Sequence, residues 1–304
     1  TVVVRAIAAS GESMILKYQN VQYPSEDLNA RWQHEFTVLQ SIKSPWVVQA
    51  RSLEKINNNL VLILEDFSPL NLEQFTRSNR LNVTQQLQLA IQLSEALSDI
   101  HKHKLIHNDI SPKNILVDVD TFKIKICDFE LATRLSGEHP GDMSEHVWGT
   151  LDYMSPEQSG RTNLVVDYRS DFYALGVTLY ELFVGHRPFE YSDPMALLYA
   201  HLARSPEPLS AVDLSVPVQL SDIVLRLLAK SPDDRYQSSF GLQADLNRCL
   251  KEWQANGFIS TFITGECDRP EGFYVSHKLY GREKEVADIF AAYERVCLGR
   301  SELL

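Results

Sequence analysis

Between residues 107 and 118 the chain reads HNDISPKNILVD, which puts an acid (Asp109), a lysine (Lys113) and an amide (Asn114) around a Pro-containing turn. The apolar run ILV then leads toward CDFE, which carries Asp128. Moving the terminal phosphoryl group of a nucleotide needs an acid that orients the attacking hydroxyl, oxygen ligands for one or two Mg²⁺ ions, and a cation that pairs with phosphates. Asp109, Asn114 and Asp128 meet the first two needs. Lys17, at the end of the run MILK, meets the third, and Glu35 on the next helical segment is a candidate partner that fixes it. Lys17 and Glu35 alone are weak signals, since many strands end in lysine. The three side chains after His107 together weigh against a merely polar turn.

Elements of two kinds must position these residues. From Thr1 to Phe67, the β-branched runs TVVVRAIA, MILKY, VVQARSL and NLVLILEDF predict strands, interrupted by one helical segment around ARWQHEFTVLQSI. Beyond Phe67, Val83, Leu87, Ile91, Leu97 and Ile100 recur mostly at spacings of three and four behind Asn82, a good N-cap, which predicts an amphipathic helix over 82–103. ILVD and KIKICDF predict two short strands. DFYALGVTLYELFVG, PMALLYAHLAR, VQLSDIVLRLLAK and FGLQADLNRCLKEW predict helices punctuated by Pro and Gly. The expected fold class is α+β, with a sheet-rich lobe over 1–66 and a helical lobe over 67–253.

With 304 residues, 44% hydrophobic and 23% charged, the chain can bury a sizeable core across two lobes. Its formal charge of −11 argues against a bulk electrostatic grip on nucleic acid or an anionic membrane, so any phosphate site must be local. Four scattered cysteines (Cys127, Cys249, Cys267, Cys297) form no CxxC pair, which fits a reduced, cytoplasmic setting without structural zinc. The most apolar stretch, 172–185, is too short for a membrane span and carries Glu181.

Residues 1–253 resemble a eukaryotic-type (bacterial) Ser/Thr protein kinase domain on MILK, HND, KN, CDFE, GTLDYMSPEQ, SDFYALG and PDDRYQS. The resemblance implies ATP and Mg²⁺ as cofactors and a protein substrate, the chain itself or a neighbouring domain included. It places Lys17 on the α- and β-phosphates with Glu35 as its ion-pair partner, Asp109 as the base-like residue, and Asn114 and Asp128 as metal ligands. It makes Leu64 the gatekeeper and Glu65 to Phe67 the hinge against adenine, with Val3, Ile15 and Leu116 sandwiching the ring. It brings Thr150 toward Asp109 and the substrate hydroxyl, pairs Glu157 with Arg235, and sets Asp171 beneath the catalytic loop.

Several positions depart from the family pattern. No GxGxxG occurs, so the first strand and the glycine-rich loop are expected to precede Thr1, and the chain on its own is expected to bind ATP weakly. Asn108 replaces the arginine that pairs with a phosphorylated activation segment, which implies activity independent of that phosphate, although Ser144 could still modulate it. Ser111 stands where a γ-phosphate lysine is usual, and Lys113 is expected to reach in from two residues further on. Glu130 replaces the glycine of DFG, removing an easy positive φ and adding an acid near the metal site. Cys127 and His107 read as packed residues rather than reactive ones.

After Trp253 the pattern loosens, and a linker over 254–278 is expected. FYVSHKLYGREKEV then resembles the opening of the NTPase domain that follows the kinase in some large bacterial signalling proteins, so 279–304 reads as the start of such a domain. The competing reading is a pseudokinase that senses nucleotide or docks proteins, motivated by Asn108, Ser111, Glu130 and the absent loop. A small-molecule phosphotransferase is disfavoured by the GT…SPE segment and Arg235.

Overall fold

In a computed structural model, residues 1–21, 24–56, 59–134 and 150–269 are described. The first lobe is a four-stranded antiparallel sheet of β1 (Val2–Ile7), β2 (Ser13–Tyr18), β3 (Ala50–Ile56) and β4 (Asn59–Glu65), in the order β1-β2-β4-β3. Facing residues of antiparallel strands share one side of the sheet. The pairings Val3 with Lys17, Ile15 with Leu64 and Lys17 with Leu62 therefore put these side chains on a single face.

Helix α1 (Glu26–Ser41) crosses between β2 and β3. Ser25 caps it by accepting from the Leu28 amide, and Glu26 and Asp27 suit the positive end of the helix dipole. That start lies one turn before the ARWQH segment, because the cap and first-turn acids extend the helix ahead of its apolar stripe. Trp32, Glu35, Val38 and Leu39 form the buried stripe, so Glu35 is carried inward with the hydrophobes.

The strand expected from Val47 begins only at Ala50. Val47 and Val48 instead tie the two lobes: Val48 N–H donates to Ile126 O at 3.0 Å and Ile126 N–H donates to Trp46 O at 2.7 Å. Both are buried within the hydrophobic core.

The second lobe begins with α2 (Leu72–Ser78), which the periodicity did not predict and which Asn71 and Gln74 start with a reciprocal capping box. Helix α3 (Val83–Lys102) follows the same device at Asn82 and Gln85, at the predicted boundaries. It packs on α4 (Arg169–Val184) and α8 (Ser239–Asn256), with α5 (Pro194–Ala203), α6 (Leu209–Val212) and α7 (Val218–Leu227) completing the helical layer. Between α3 and α4 run the short strands β5 (Leu105–Ile106), β6 (Ile115–Val117), β7 (Ile124–Ile126) and β8 (Thr133–Arg134), paired β5 with β8 and β6 with β7.

The expected boundary at Trp253 falls inside α8, which ends at Gly257 in a left-handed cap. Residues up to Arg269 belong to the same compact unit. Asp268 fastens them, accepting from Gln237 N–H and the Ser238 hydroxyl at 2.7 Å each. Gly241 permits this approach, since a Cβ there would lie 2.5 Å from that of Asp268. The expected NTPase-like segment and Ser144 lie outside the described residues.

Candidate active site

Glu35 and Lys17 are 1% and 6% exposed, and buried charges need partners. They find each other: Lys17 Nζ donates to Glu35 Oε1 at 2.9 Å and to Oε2 at 2.8 Å. It also donates to Asp128 Oδ1 at 3.0 Å and sits 5.4 Å from the centroid of the Trp32 ring. Burial alone would lower the Lys17 pKa, but the Glu35 and Asp128 carboxylates outweigh it and hold the ammonium above its ordinary range. Burial pushes the Glu35 carboxyl up, against the pull of Lys17.

The catalytic-loop candidates are set by a buried acid beneath them. Asp171, fully buried on α4, accepts from His107 N–H and Asn108 N–H at 2.9 Å each, and His101 Nε2 lies 2.9 Å from it. Asn108 holds φ 66°, a left-handed conformation that Asn tolerates better than most residues. Its side-chain amide donates to Leu131 O at 2.9 Å and Thr133 Oγ1 at 3.0 Å. It thus bonds the start of the activation segment directly.

Asp109 gathers the site. Asn114 Nδ2 donates to Asp109 Oδ2 at 2.8 Å and to its carbonyl at 2.9 Å, and Thr150 N–H donates to Asp109 Oδ1 at 2.8 Å. The Thr150 approach expected from the sequence is made through the backbone amide. Because a carboxylate has about four acceptor positions, both oxygens remain able to accept a further proton or hydrogen bond. His107 is fully buried, its ring edge-on to Phe129 at 4.6 Å, in keeping with a packing role.

Asp128 holds φ 66°. Glu130 itself is not among the residues of positive φ, so the loss of glycine's freedom there costs no strain. Glu130 reaches α1, where Arg31 Nη1 donates to its Oε1 at 3.4 Å. Ser111 is fully buried with its hydroxyl unpaired among the described residues, which does not suit it to phosphate, whereas Lys113 is exposed. Cys127 is shielded enough that burial pushes its thiol up to about 12.

On the expected adenine side, Leu64 is buried, Ile15 and Leu116 are partly buried against the core, and Val3 is 60% exposed on the same face as Lys17. Glu65 N–H is committed to Gln49 O, and its carboxylate takes the Lys125 ammonium. The Phe67 amide makes no hydrogen bond among the described residues. Asn114 and Asp128 offer an amide and a carboxylate oxygen. This hard-oxygen pair suits Mg²⁺, which takes one or two protein ligands and fills its shell with water and phosphate oxygens.

Sequence reasoning missed Arg31, His34 and Gln158. Gln158 Nε2 donates to Asn108 O at 2.8 Å, tying the SPEQ turn to the loop that carries Asp109. Arg31 and His34 carried a readable signal, lying four and one positions before Glu35 on α1.

Below the site, Arg235 is fully buried and grips Glu157 with two bonds of 2.6 and 2.8 Å, while the Ser170 hydroxyl donates to Glu157 at 2.7 Å. Burial would raise the Glu157 carboxyl, but Arg235 and Ser170 outweigh it and hold it below its ordinary value.

The family described as Protein kinase domain matches residues 1–246, and the chain belongs to it. Among curated proteins, the chain is similar to the serine/threonine-protein kinase PknB of Mycolicibacterium smegmatis, 40% identical over 163 residues, 53% of this chain and 25% of that protein. It is 37% identical over 197 residues to hybrid signal transduction histidine kinase G of Dictyostelium discoideum, 58% of this chain and 6% of that protein. A probable serine/threonine-protein kinase of Clostridium perfringens is 27% identical over 229 residues, 75% of this chain and 33% of that protein. The chain spans a third or less of the length of these relatives.

Proposed function

We propose that the chain is a protein kinase module that transfers the γ-phosphoryl group of ATP, with Mg²⁺, to serine or threonine hydroxyls of a protein substrate in the cytoplasm. The observation that carries this reading is the convergence of Asn114 and Thr150 on the two oxygens of Asp109, with Lys17 joined to both Glu35 and Asp128. Bacterial relatives named as serine/threonine-protein kinases support the acceptor class.

Asp109, held on both sides, orients the substrate hydroxyl and accepts its proton as oxygen attacks phosphorus and the bond to the β-phosphate breaks. Lys17 pairs with the α- and β-phosphates, and exposed Lys113 supplies the cation that Ser111 cannot. Asn114 and Asp128 would hold Mg²⁺, which when bound would supply neutralisation of the phosphate charge. Leu64, Glu65 and Phe67 bound the adenine site, which Val3, Ile15 and Leu116 line from either lobe. Substrates include the chain itself or a neighbouring domain. Among the described residues no helix is long and apolar enough to cross a membrane.

The test is transfer of labelled γ-phosphate from Mg-ATP to the chain and to a generic basic protein, alongside Asp109→Ala. Label that disappears in the variant and maps to serine or threonine supports the proposal. Nucleotide binding without transfer would turn the assignment to a pseudokinase.

A further inference from the structure

Glu130 stands where the family has glycine, and its carboxylate adds to a place that already holds Glu35 and Asp128. Three acids in one neighbourhood repel one another. Both Asp128 and Glu130 act on Glu35 in the direction that weakens its charged form. Without a compensating cation, an acid at 130 would push α1, and Glu35 with it, away from Lys17.

The compensating groups are on α1 itself. Arg31 Nη1 donates to Glu130 Oε1 at 3.4 Å, and one turn along the helix His34 Nε2–H donates to Ala132 O at 2.7 Å. Arg31, His34 and Glu35 follow the three-and-four spacing of a helix face. The same few residues of the activation segment are held from the other lobe by Asn108, through Leu131 O and Thr133 Oγ1. Pairing of Leu105 with Arg134 and Ile106 with Thr133 completes the grip.

We propose that Arg31 and Glu130, seconded by His34, are positioning residues: they latch α1 onto the start of the activation segment and so keep Glu35 on Lys17. The latch rests on the kinase reading for its catalytic consequence, but not for its structural one. It uses a carboxylate built into the chain, in place of glycine, to hold the helix. Arg31 and Glu130 are 39% and 23% exposed, so solvent screens the pair and it biases the helix position rather than dictating it.

The experiment compares wild type, Glu130→Gln, Arg31→Glu and the exchanged pair Arg31→Glu/Glu130→Arg, by amide hydrogen exchange over Glu26–Ser41 and by steady-state kinetics. Exchange in α1 should rise in both single variants and most in Arg31→Glu, which leaves Glu130 facing another acid. The kcat should fall roughly threefold to fivefold, as loss of a partly exposed pair allows, with KM for the acceptor protein unchanged. The exchanged pair should restore both protection and kcat. Failure of the exchanged pair to restore protection, or unchanged exchange in the single variants, overturns the latch. Should wild type transfer no phosphate, the kinase reading fails while helix protection still decides the latch.

Discussion

The Lys17 ammonium lies 3.0 Å from Asp128 Oδ1 although 111 residues separate the two in sequence. It also holds both oxygens of Glu35, so one cation joins the sheet, helix α1 and the segment that follows β7. Lys17→Met should therefore damage two properties at once. Activity should fall at least a hundredfold, roughly the scale of losing one preorganised charge contact. Stability should fall by about 3–5 kcal/mol, because Glu35 is left buried and unmatched. Glu35→Gln should cost less stability, since a neutral amide tolerates the site better. Phosphate transfer and denaturant unfolding of both variants check this.

Glu157 and Arg235 make a second buried pair, remote from phosphate chemistry. Arg235→Met should destabilise by about 3–5 kcal/mol, as expected when one partner of a buried pair is removed. Because the folded-state pKa of Glu157 is depressed below its ordinary 4.5, the pair's contribution is fully present above that value and is lost as pH falls through the lower folded value. Urea titrations should show acid sensitivity below pH 4.5 that Glu157→Gln diminishes.

His201 gives a different window. Burial first, and then the nearby Lys230 charge, lower its pKa from 6.5 to about 4 against the opposing pull of Asp152, while Tyr173 OH meets its Nδ1 at 3.0 Å. A histidine kept neutral by folding contributes stability above its unfolded pKa and loses it as the unfolded state takes up protons. Stability should therefore decline between pH 6.5 and about 4, by roughly 3 kcal/mol for a shift of this size. His201→Asn should flatten that decline in thermal or denaturant unfolding measured across the range.

Asn108 holds the activation segment through Leu131 and Thr133 with no phosphate between them. Treatment with phosphatase should leave the rate unchanged. Asn108→Ala should lower it, because the contact is removed and the left-handed backbone at 108 is less well tolerated by alanine. A rate that collapses on phosphatase treatment would contradict this account.

Much of the candidate site was legible along the chain. Asp109, Lys113 and Asn114 lie within one turn, the ILV and KIKIC strands lead on to Asp128, and Asn82 with the spacing of Val83, Leu87 and Ile91 marks a helix at its true boundaries. Such features are local, and local propensity and capping read directly from neighbouring residues. Helix α2 escaped because seven residues carry too little periodicity, although its capping box was there to be found. The attachment of the segment after Trp253 was not legible, because Asp268 fastens it through residues 30 and 31 positions away.

The sequence by itself determined the two lobes, most of the elements that form them and the order of the acid, amide and lysine candidates. Only the tertiary structure decided that Glu35 meets Lys17, that the Thr150 amide caps Asp109, that Ser111 is buried while Lys113 is exposed, and that Glu130 answers to Arg31. Those relations join residues far apart in the chain. They are fixed by the demand that each buried charge find a partner once the core has closed, a demand that no single stretch of sequence can express.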